Sequence, residues 1–184
     1  MTEARNDLVH EWALAAKNLF FPIFCQECGR RLLTDENGYF CATCWELTPR
    51  IERPFCTVCG RPHQGAVGIA TRSNFPCGQC IAAGPDRPVR RIYGVARYEG
   101  VMEDAIKLFK FHGKQRLAKP LGELMVDFVG REVECDRYET LVPVPLHPVR
   151  QRERGFNQAR LLADAVAGAF PNAAVAPVLR RIRP

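Results

Sequence analysis

The sequence has no apolar run long enough to cross a bilayer. A spanning helix needs about 20 apolar residues, and the longest hydrophobic stretch near the start, LFFPIF, is interrupted by Pro22. The first residues carry Glu3, Asp7 and Glu11 and lack the basic-then-apolar order of a secretory signal. We therefore expect a protein without a membrane span that works in the cytoplasm.

Cysteine, by contrast, is abundant. Of nine cysteines, only Cys135 stands alone. In a reducing cytosol thiols stay reduced, and a two-residue gap lets both sulfurs of a pair bind one tetrahedral metal ion. The other eight form four Cys-x-x-Cys pairs and are the predicted zinc ligands: Cys25, Cys28, Cys41, Cys44, Cys56, Cys59, Cys77 and Cys80.

The pairs repeat in an order that predicts two consecutive zinc ribbons. The first and third pairs both continue as Cys-x-x-Cys-Gly-Arg, whereas the second and fourth lack this tail. The two sites would then have 12 and 17 residues between their pairs, which is ordinary spacing for four-cysteine sites. A cross-braced grouping, first pair with third and second with fourth, stays open. The glycine after each leading pair suits a turn that brings a backbone N–H towards a thiolate.

Other uses of the cysteines are less well supported. A thioredoxin-like redox pair needs a surrounding βαβ pattern, which is not found around these pairs. Four thiolates close a zinc site, so we expect structural and not catalytic metal centres. His63 and Cys135 are spare candidates for metal binding, and a solitary cysteine is more often a small buried apolar residue.

Zinc binding would remove most of the net charge. Eight thiolates and two zinc ions together contribute four negative charges, which lowers the formal +6 to about +2. The remaining excess lies from His147 onward, where seven Lys and Arg face two Asp and Glu. Overall basicity is therefore weak evidence for nucleic-acid binding, and the local arginine cluster is the feature to explain.

The chain divides into three parts by pattern. Residues 1–22 have apolar residues at helical spacing and predict a short amphipathic helix. Packing against the ribbons is favoured over membrane anchoring, because Lys17 is the only Lys or Arg of the stretch DLVHEWALAAKNLFF. The double ribbon follows over 23–84, and the Pro- and Gly-rich stretch Ala82–Arg90 reads as a linker.

Residues 91–184 predict an α/β domain, because strand and helix patterns follow one another in a mixed order. The predicted elements are a strand in 91–100, helices in 101–113 and 119–133, a strand in 140–145, a helix over 156–169 and a further strand in 173–179.

The join between the strand at 140–145 and the next helix is a predicted anion site. A buried strand that leads through a loop into a helix presents free N–H groups beyond its carboxyl end, where anions are favoured. Arginine adds planar donors that match phosphate oxygens in pairs. A merely solvated arginine-rich helix start, with prolines marking an edge strand, is the alternative. The candidate phosphate-binding residues are Arg150, Arg152, Arg154, Gly155, Asn157 and Gln158.

Three stretches closely resemble the ComF family of competence proteins: LFFPIFCQECGR, YEGVMEDAIKLFKFHGKQRLAKPLGELM and VPVPLHPVRQRERGFNQARLLA. The resemblance implies a double zinc ribbon joined to a Rossmann-like type I phosphoribosyltransferase domain. It implies that Val142–Gln158 faces the pyrophosphate of phosphoribosyl pyrophosphate (PRPP), with magnesium accompanying that substrate. Lys107 and Lys110, in the second stretch, would assist. Partners implied are PRPP or another phosphorylated small molecule, and single-stranded DNA or a competence helicase.

One part of the phosphoribosyltransferase pattern is not found. Such enzymes carry a later strand ending in two adjacent acids and a Thr/Gly-rich loop, and nothing after the arginine cluster fits this description. The adjacent acids Asp35-Glu36 and Glu103-Asp104 lie elsewhere. We therefore expect an incomplete transferase domain and no phosphoribosyl transfer by this chain alone. A non-enzymatic zinc-ribbon adaptor, or a zinc-stabilised scaffold without ligand, are the competing interpretations.

Overall fold

The computed structural model describes residues 22–32, 38–63 and 74–183. The helix predicted over 1–22 lies outside this part except for Pro22. The first ribbon begins with two short antiparallel strands, β1 (Ile23–Phe24) and β2 (Arg31–Leu32), and continues into helix α1 (Ala42–Glu46). Among its described residues, the second ribbon has one antiparallel bridge, between Phe55 and Pro62, and it ends in helix α2 (Gly78–Ala82).

The remaining elements are helical except for one pair of parallel strands. Residues Thr140 and Leu141 pair with Ala174 and Val175 respectively. Short 3₁₀ turns at Gln115–Leu117, Cys135–Arg137 and Ala167–Ala169 complete the path. In chain order the elements are α3 (Val101–Phe111), α4 (Ala118–Glu132), β3 (Thr140–Leu141), α5 (Pro148–Arg154), α6 (Gln158–Val166) and β4 (Ala174–Val175).

Three helices match the sequence prediction, but the predicted strand at 91–100 is wrong. That segment makes only an isolated bridge between Arg50 and Ala96. Its backbone groups bond to ribbon loops instead: Ile92 N–H donates to the Val58 carbonyl, and Arg97 N–H donates to the Pro49 carbonyl. Because its partners are loops, the segment docks on the ribbons without joining a sheet.

The predicted strand at 140–145 is shorter than expected. Pro143 and Pro145 have no N–H to donate, so the ladder stops after Leu141. The predicted strand at 173–179 is likewise reduced to Ala174–Val175.

The segment expected to be a loop after this strand contains helix α5. Pro148 lies in its first turn, where a fixed φ is favourable, and the His147 ring accepts a hydrogen bond from the Val149 N–H at 3.4 Å. Gly155, with φ of +79°, ends the helix. Pro at the start and Gly just past the end are helix signals, and here they define a helix of seven residues.

A buried cluster joins the first ribbon to the helices. Phe40 and Cys25 of the ribbon belong to it together with Ala105, Phe109 and Leu117, each no more than 2% exposed. This apolar contact crosses the predicted boundary between 23–84 and 91–184, and the division into domains stays a prediction.

The second ribbon is attached to helix α4 by a separate contact. Phe55 packs on Phe128 with ring centroids 5.9 Å apart. Arg53 Nε donates to both carboxylate oxygens of Glu132, at 2.8 and 3.0 Å. The Glu132 side chain is only 11% exposed, so this ion pair is shielded more than an ordinary surface pair.

Within the described residues, no helix has the length and apolar character needed to cross a membrane.

Helix α4 packs so closely on α6 that one glycine is required at their contact. A Cβ built on Gly122 would lie 2.5 Å from the Ala165 Cβ. We expect Gly122→Ala to lower the free energy of unfolding by about 1–3 kcal/mol because the helices must separate. In the same helix, Gly130 has open space at its Cβ position. Gly130→Ala is the control and should raise stability by up to about 1 kcal/mol. Urea denaturation of both variants checks this, and equal stabilities would contradict the contact.

Candidate functional sites: two cysteine clusters and a basic cleft

The eight paired cysteines form two separate clusters. In each, the four sulfur atoms lie within 4.8 Å of one another. The grouping is consecutive along the chain, and the cross-braced alternative does not occur. The first cluster is Cys25, Cys28, Cys41 and Cys44, and the second is Cys56, Cys59, Cys77 and Cys80.

The distances between sulfurs suit zinc. A tetrahedral ion with zinc–sulfur bonds of about 2.3 Å separates its sulfurs by about 3.8 Å. The Cys28 and Cys41 sulfurs are 3.8 Å apart, and those of Cys59 and Cys77 are 4.0 Å apart. Four thiols at this spacing fit a structural zinc ion in each ribbon, and they leave no ligand position for a substrate.

Equivalent cysteines of the two ribbons are prepared to ionise. Burial of Cys56 opposes its ionisation, but the N–H groups of Cys59, Cys77 and Val58 donate to its sulfur and lower its pKa to about 6. Cys25 shows the same balance: burial raises its pKa, backbone N–H donors lower it, and the result is also about 6. Metal ligands must be deprotonated, so these backbone donors prepare one thiol of each ribbon for metal binding.

The expected role of the repeated glycines needs a correction. Gly29 and Gly60 do adopt positive φ, at 69° and 70°. Their N–H groups, however, donate to the carbonyl oxygens of Cys25 and Cys56 at 2.9 Å and not to a thiolate. Gly60 also allows a close backbone approach, because a Cβ there would lie 2.6 Å from the Ile92 carbonyl oxygen.

The two spare candidates do not join either cluster. His63 stacks on Phe75 with centroids 3.8 Å apart, and its Nε2 lies 2.9 Å from the Phe75 carbonyl oxygen. The Cys135 thiol donates to the Val133 carbonyl at 3.4 Å. Among the residues described, the two four-cysteine sets are the only groups of three or more His, Cys, Asp or Glu placed to bind one metal ion.

Part of the predicted phosphate site forms a cleft of about 260 Å³ between the end of α3 and helix α5. Helix α3 supplies Lys110 from its last turn, and α5 supplies two arginines one turn apart. We call this the basic cleft, and its lining residues are Lys110, Phe111, Gly113, Arg150, Glu153 and Arg154.

The charges in the basic cleft are mostly positive and incompletely paired. Arg150 Nη1 donates to Glu153 Oε2 at 3.1 Å. Lys110 and Arg154 have no carboxylate partner within the described ranges. Arg154 instead lies over the Phe111 ring, with its guanidinium carbon 5.5 Å from the ring centroid. In the described part of the chain, two cations without a carboxylate partner and one partly neutralised arginine therefore face the same space.

Two predicted cations lie outside the basic cleft. Lys107 forms an ion pair with Glu103 at 2.8 Å, and hydrogen bonding to that carboxylate raises the pKa of the lysine. Arg152 is exposed on α5 and does not line the cleft.

The three uncharged candidates have mainly structural surroundings. Gly155 ends α5, as described above. Asn157 caps α6, with Oδ1 accepting from Ala159 N–H at 2.9 Å, and lines a neighbouring cleft of about 300 Å³ beside Pro143 and Pro145. Gln158 is buried, and its Nε2 has no hydrogen-bond partner in the described structure.

Sequence reasoning missed Phe111 as a residue of the site. Between Arg150 and Arg160 the sequence has one aromatic residue, Phe156, which is buried and packs on Phe109 with ring centroids 5.4 Å apart. Phe111 is 70% exposed. The signal was present in the helix pattern, because the apolar face of α3 runs through Ala105 and Phe109 and leaves Phe111 off that face.

Substitution of one cysteine of the first cluster should prevent binding of the zinc ion in that ribbon. We expect Cys44→Ser to reduce the zinc content by one per chain and to lower the melting temperature strongly, because this cluster lies in the main core. Cys135→Ser is the matched control and should retain full zinc content. Elemental analysis with thermal unfolding tests this, and unchanged zinc in Cys44→Ser would contradict the assignment.

Comparison with known proteins agrees with the cysteine geometry. Residues 16–81 match the family model described as a double zinc ribbon domain. No solved structure matches the chain significantly.

Curated relatives match a larger part of the chain. DNA utilization protein YhgH of Escherichia coli K12 is 31% identical over 152 residues, 81% of this chain and 62% of the relative. Competence protein ComFC of Bacillus subtilis is 30% identical over 132 residues, which make up 68% of this chain and 50% of the relative. Competence protein F of Haemophilus influenzae is 28% identical over 151 residues, which make up 80% of this chain and 61% of the relative. The chain thus spans at most about 62% of the length of these relatives, and its similarity to competence and DNA utilization proteins extends beyond the double zinc ribbon matched over residues 16–81.

Proposed function

We propose that this chain binds the pyrophosphate group of PRPP in the basic cleft and acts in a competence-related role. The observation that carries the proposal is the meeting of Lys110, Arg150 and Arg154 around one cleft. These residues come from two helices that are 36 residues apart at their nearest ends, between Phe111 and Pro148. Convergence of three cations from separate elements has a clear use in holding a multiply charged anion.

The electrostatics support a phosphate ligand over a carboxylate. A single carboxylate, Glu153, already neutralises part of the charge of Arg150. Lys110 and Arg154 keep their full charge for a ligand, and pyrophosphate offers enough oxygens for both at once. Arginine can bind two phosphate oxygens through its planar fork, while lysine supplies a compact point charge.

The order of elements supports a phosphoribosyltransferase-like arrangement for this half of the chain. Parallel strands β3 and β4 are connected through α5 and α6, which is a crossover of the kind found in α/β domains. The arginines of α5 follow the carboxyl end of β3, where ligands bind in open α/β sheets. Magnesium would enter with PRPP, because it prefers phosphate oxygens and water as ligands.

The biological role rests on the relatives. Their names refer to competence and DNA utilization, and the proposed place of action is the cytoplasm, where free thiols remain available for zinc. Because the chain spans less than two thirds of these relatives, transfer of a phosphoribosyl group is a proposal for the whole protein and not for the described residues.

A second candidate function is binding of single-stranded DNA, alone or with a competence helicase. It is favoured by Arg150 and Arg154, which project from one exposed helix and can contact a phosphate backbone. DNA binding through such contacts weakens steeply with salt. A saturable PRPP site that DNA does not displace would separate the two functions.

Substitution in the basic cleft should weaken binding more than substitution beside it. We expect Arg154→Ala to reduce pyrophosphate and PRPP affinity about tenfold or more, because a charge-assisted hydrogen bond contributes about 1.5–3 kcal/mol. Arg152→Ala removes the same charge from the same helix, but Arg152 lies outside the basic cleft. The affinity of this variant for pyrophosphate and PRPP should therefore stay within about twofold of that of the unsubstituted chain. Titration calorimetry on the zinc-loaded chain, with and without magnesium, measures both.

Equal losses in the two variants would show that net charge, and not the basic cleft, drives binding. Absence of measurable pyrophosphate and PRPP binding to the unsubstituted chain would rule out the proposed site.

A further inference from the structure

Phe111 is an apolar side chain that the fold itself does not need. It is the last residue of α3 and is 70% exposed, whereas Phe109, two residues earlier, is fully buried. Exposure of a single aromatic ring is common on protein surfaces. This ring, however, lines the basic cleft and is not isolated from the charged residues.

The surroundings of the ring are those of a stacking surface. The Arg154 guanidinium carbon lies 5.5 Å from the ring centroid, which is within the range of a cation–π contact. Lys110 precedes the ring in the chain, and Arg150 lines the same cleft. Proteins that bind nucleotides of single strands combine positive charge for the phosphates with aromatic rings for the bases.

We infer that Phe111 is a stacking surface for a planar base, and that the basic cleft also accepts ligands that carry a base next to their phosphates. The phosphate half of this inference rests on the proposed function. The base half rests on Phe111 alone, since pyrophosphate and sugar phosphates have no ring that could stack on it. Phe111 thus adds affinity for a ligand with a base, whereas pyrophosphate and PRPP would be held by the cations of the basic cleft alone.

The size of the cleft limits its ligand to about one nucleotide unit. Its volume of about 260 Å³ lies just below the range of small-ligand sites, about 300–1,000 Å³. A free nucleotide and one unit of a DNA strand present the same chemistry, a base attached to phosphate. Separate probes can distinguish these two sources.

The test uses the full zinc-loaded chain and three probes: pyrophosphate, ADP and a short thymidine oligonucleotide. We expect Phe111→Ala to weaken ADP binding about tenfold, the usual effect of losing one stacking contact, with pyrophosphate affinity within twofold. Phe111→Trp should restore ADP binding. Tyr98→Ala is the matched control, because Tyr98 is 59% exposed and lies outside the basic cleft.

If Phe111→Ala loses affinity for ADP alone, the ligand is a free nucleotide. If it loses affinity for both ADP and the oligonucleotide, the cleft also accepts one unit of a strand. Unchanged ADP affinity in Phe111→Ala, failure of Phe111→Trp to restore it, or an equal effect of Tyr98→Ala would overturn the inference. Absence of ADP and oligonucleotide binding to the unsubstituted chain would also overturn it. The proposed function fails separately, when pyrophosphate affinity does not depend on Arg154. Zinc content and melting temperature of each variant confirm that it is folded.

Discussion

Strands of two residues cannot hold a ribbon together by backbone hydrogen bonds alone, so the first ribbon depends on its four thiols sharing a metal ion. Three of them, Cys25, Cys41 and Cys44, are buried in the same core as Phe109 and Leu117. The cluster is therefore part of the packing of the helices and not a separate appendage. Loss of the metal would leave several thiol groups in an apolar core and remove the cross-link that closes the ribbon.

The same core fixes both walls of the basic cleft. Phe109 and Phe156 pack on each other at 5.4 Å inside it. Lys110 and Phe111 directly follow Phe109, and Arg154 comes two residues before Phe156. Because neighbouring backbone on each wall is held by a buried ring, the distance between the cations is set by the core. Preorganised donors lose less entropy when a ligand binds.

Local patterns predicted what depends on local chemistry. The Cys-x-x-Cys repeat gave the correct grouping of thiols, and apolar spacing located α3 and α4. The strand predicted at 91–100 was wrong because strand formation depends on partners that sequence spacing does not reveal. In the described structure, the segment around Ala96 bonds to ribbon loops and forms no strand. Helix α5 had readable signals in Pro148 and Gly155 that the arginine-rich composition obscured. Of the predicted phosphate ligands, three converge because helices α3 and α5 meet, which is a tertiary event.

The most direct measurement is hydrogen exchange of the zinc-loaded chain with and without PRPP, read by mass spectrometry. Ligand held between α3 and α5 should slow exchange in residues 108–114 and 148–156 and leave the ribbons unchanged. Protection confined to 143–147 and 177–181, which line the neighbouring cleft, would place the ligand elsewhere. No protection at saturating PRPP would contradict phosphate binding by the basic cleft.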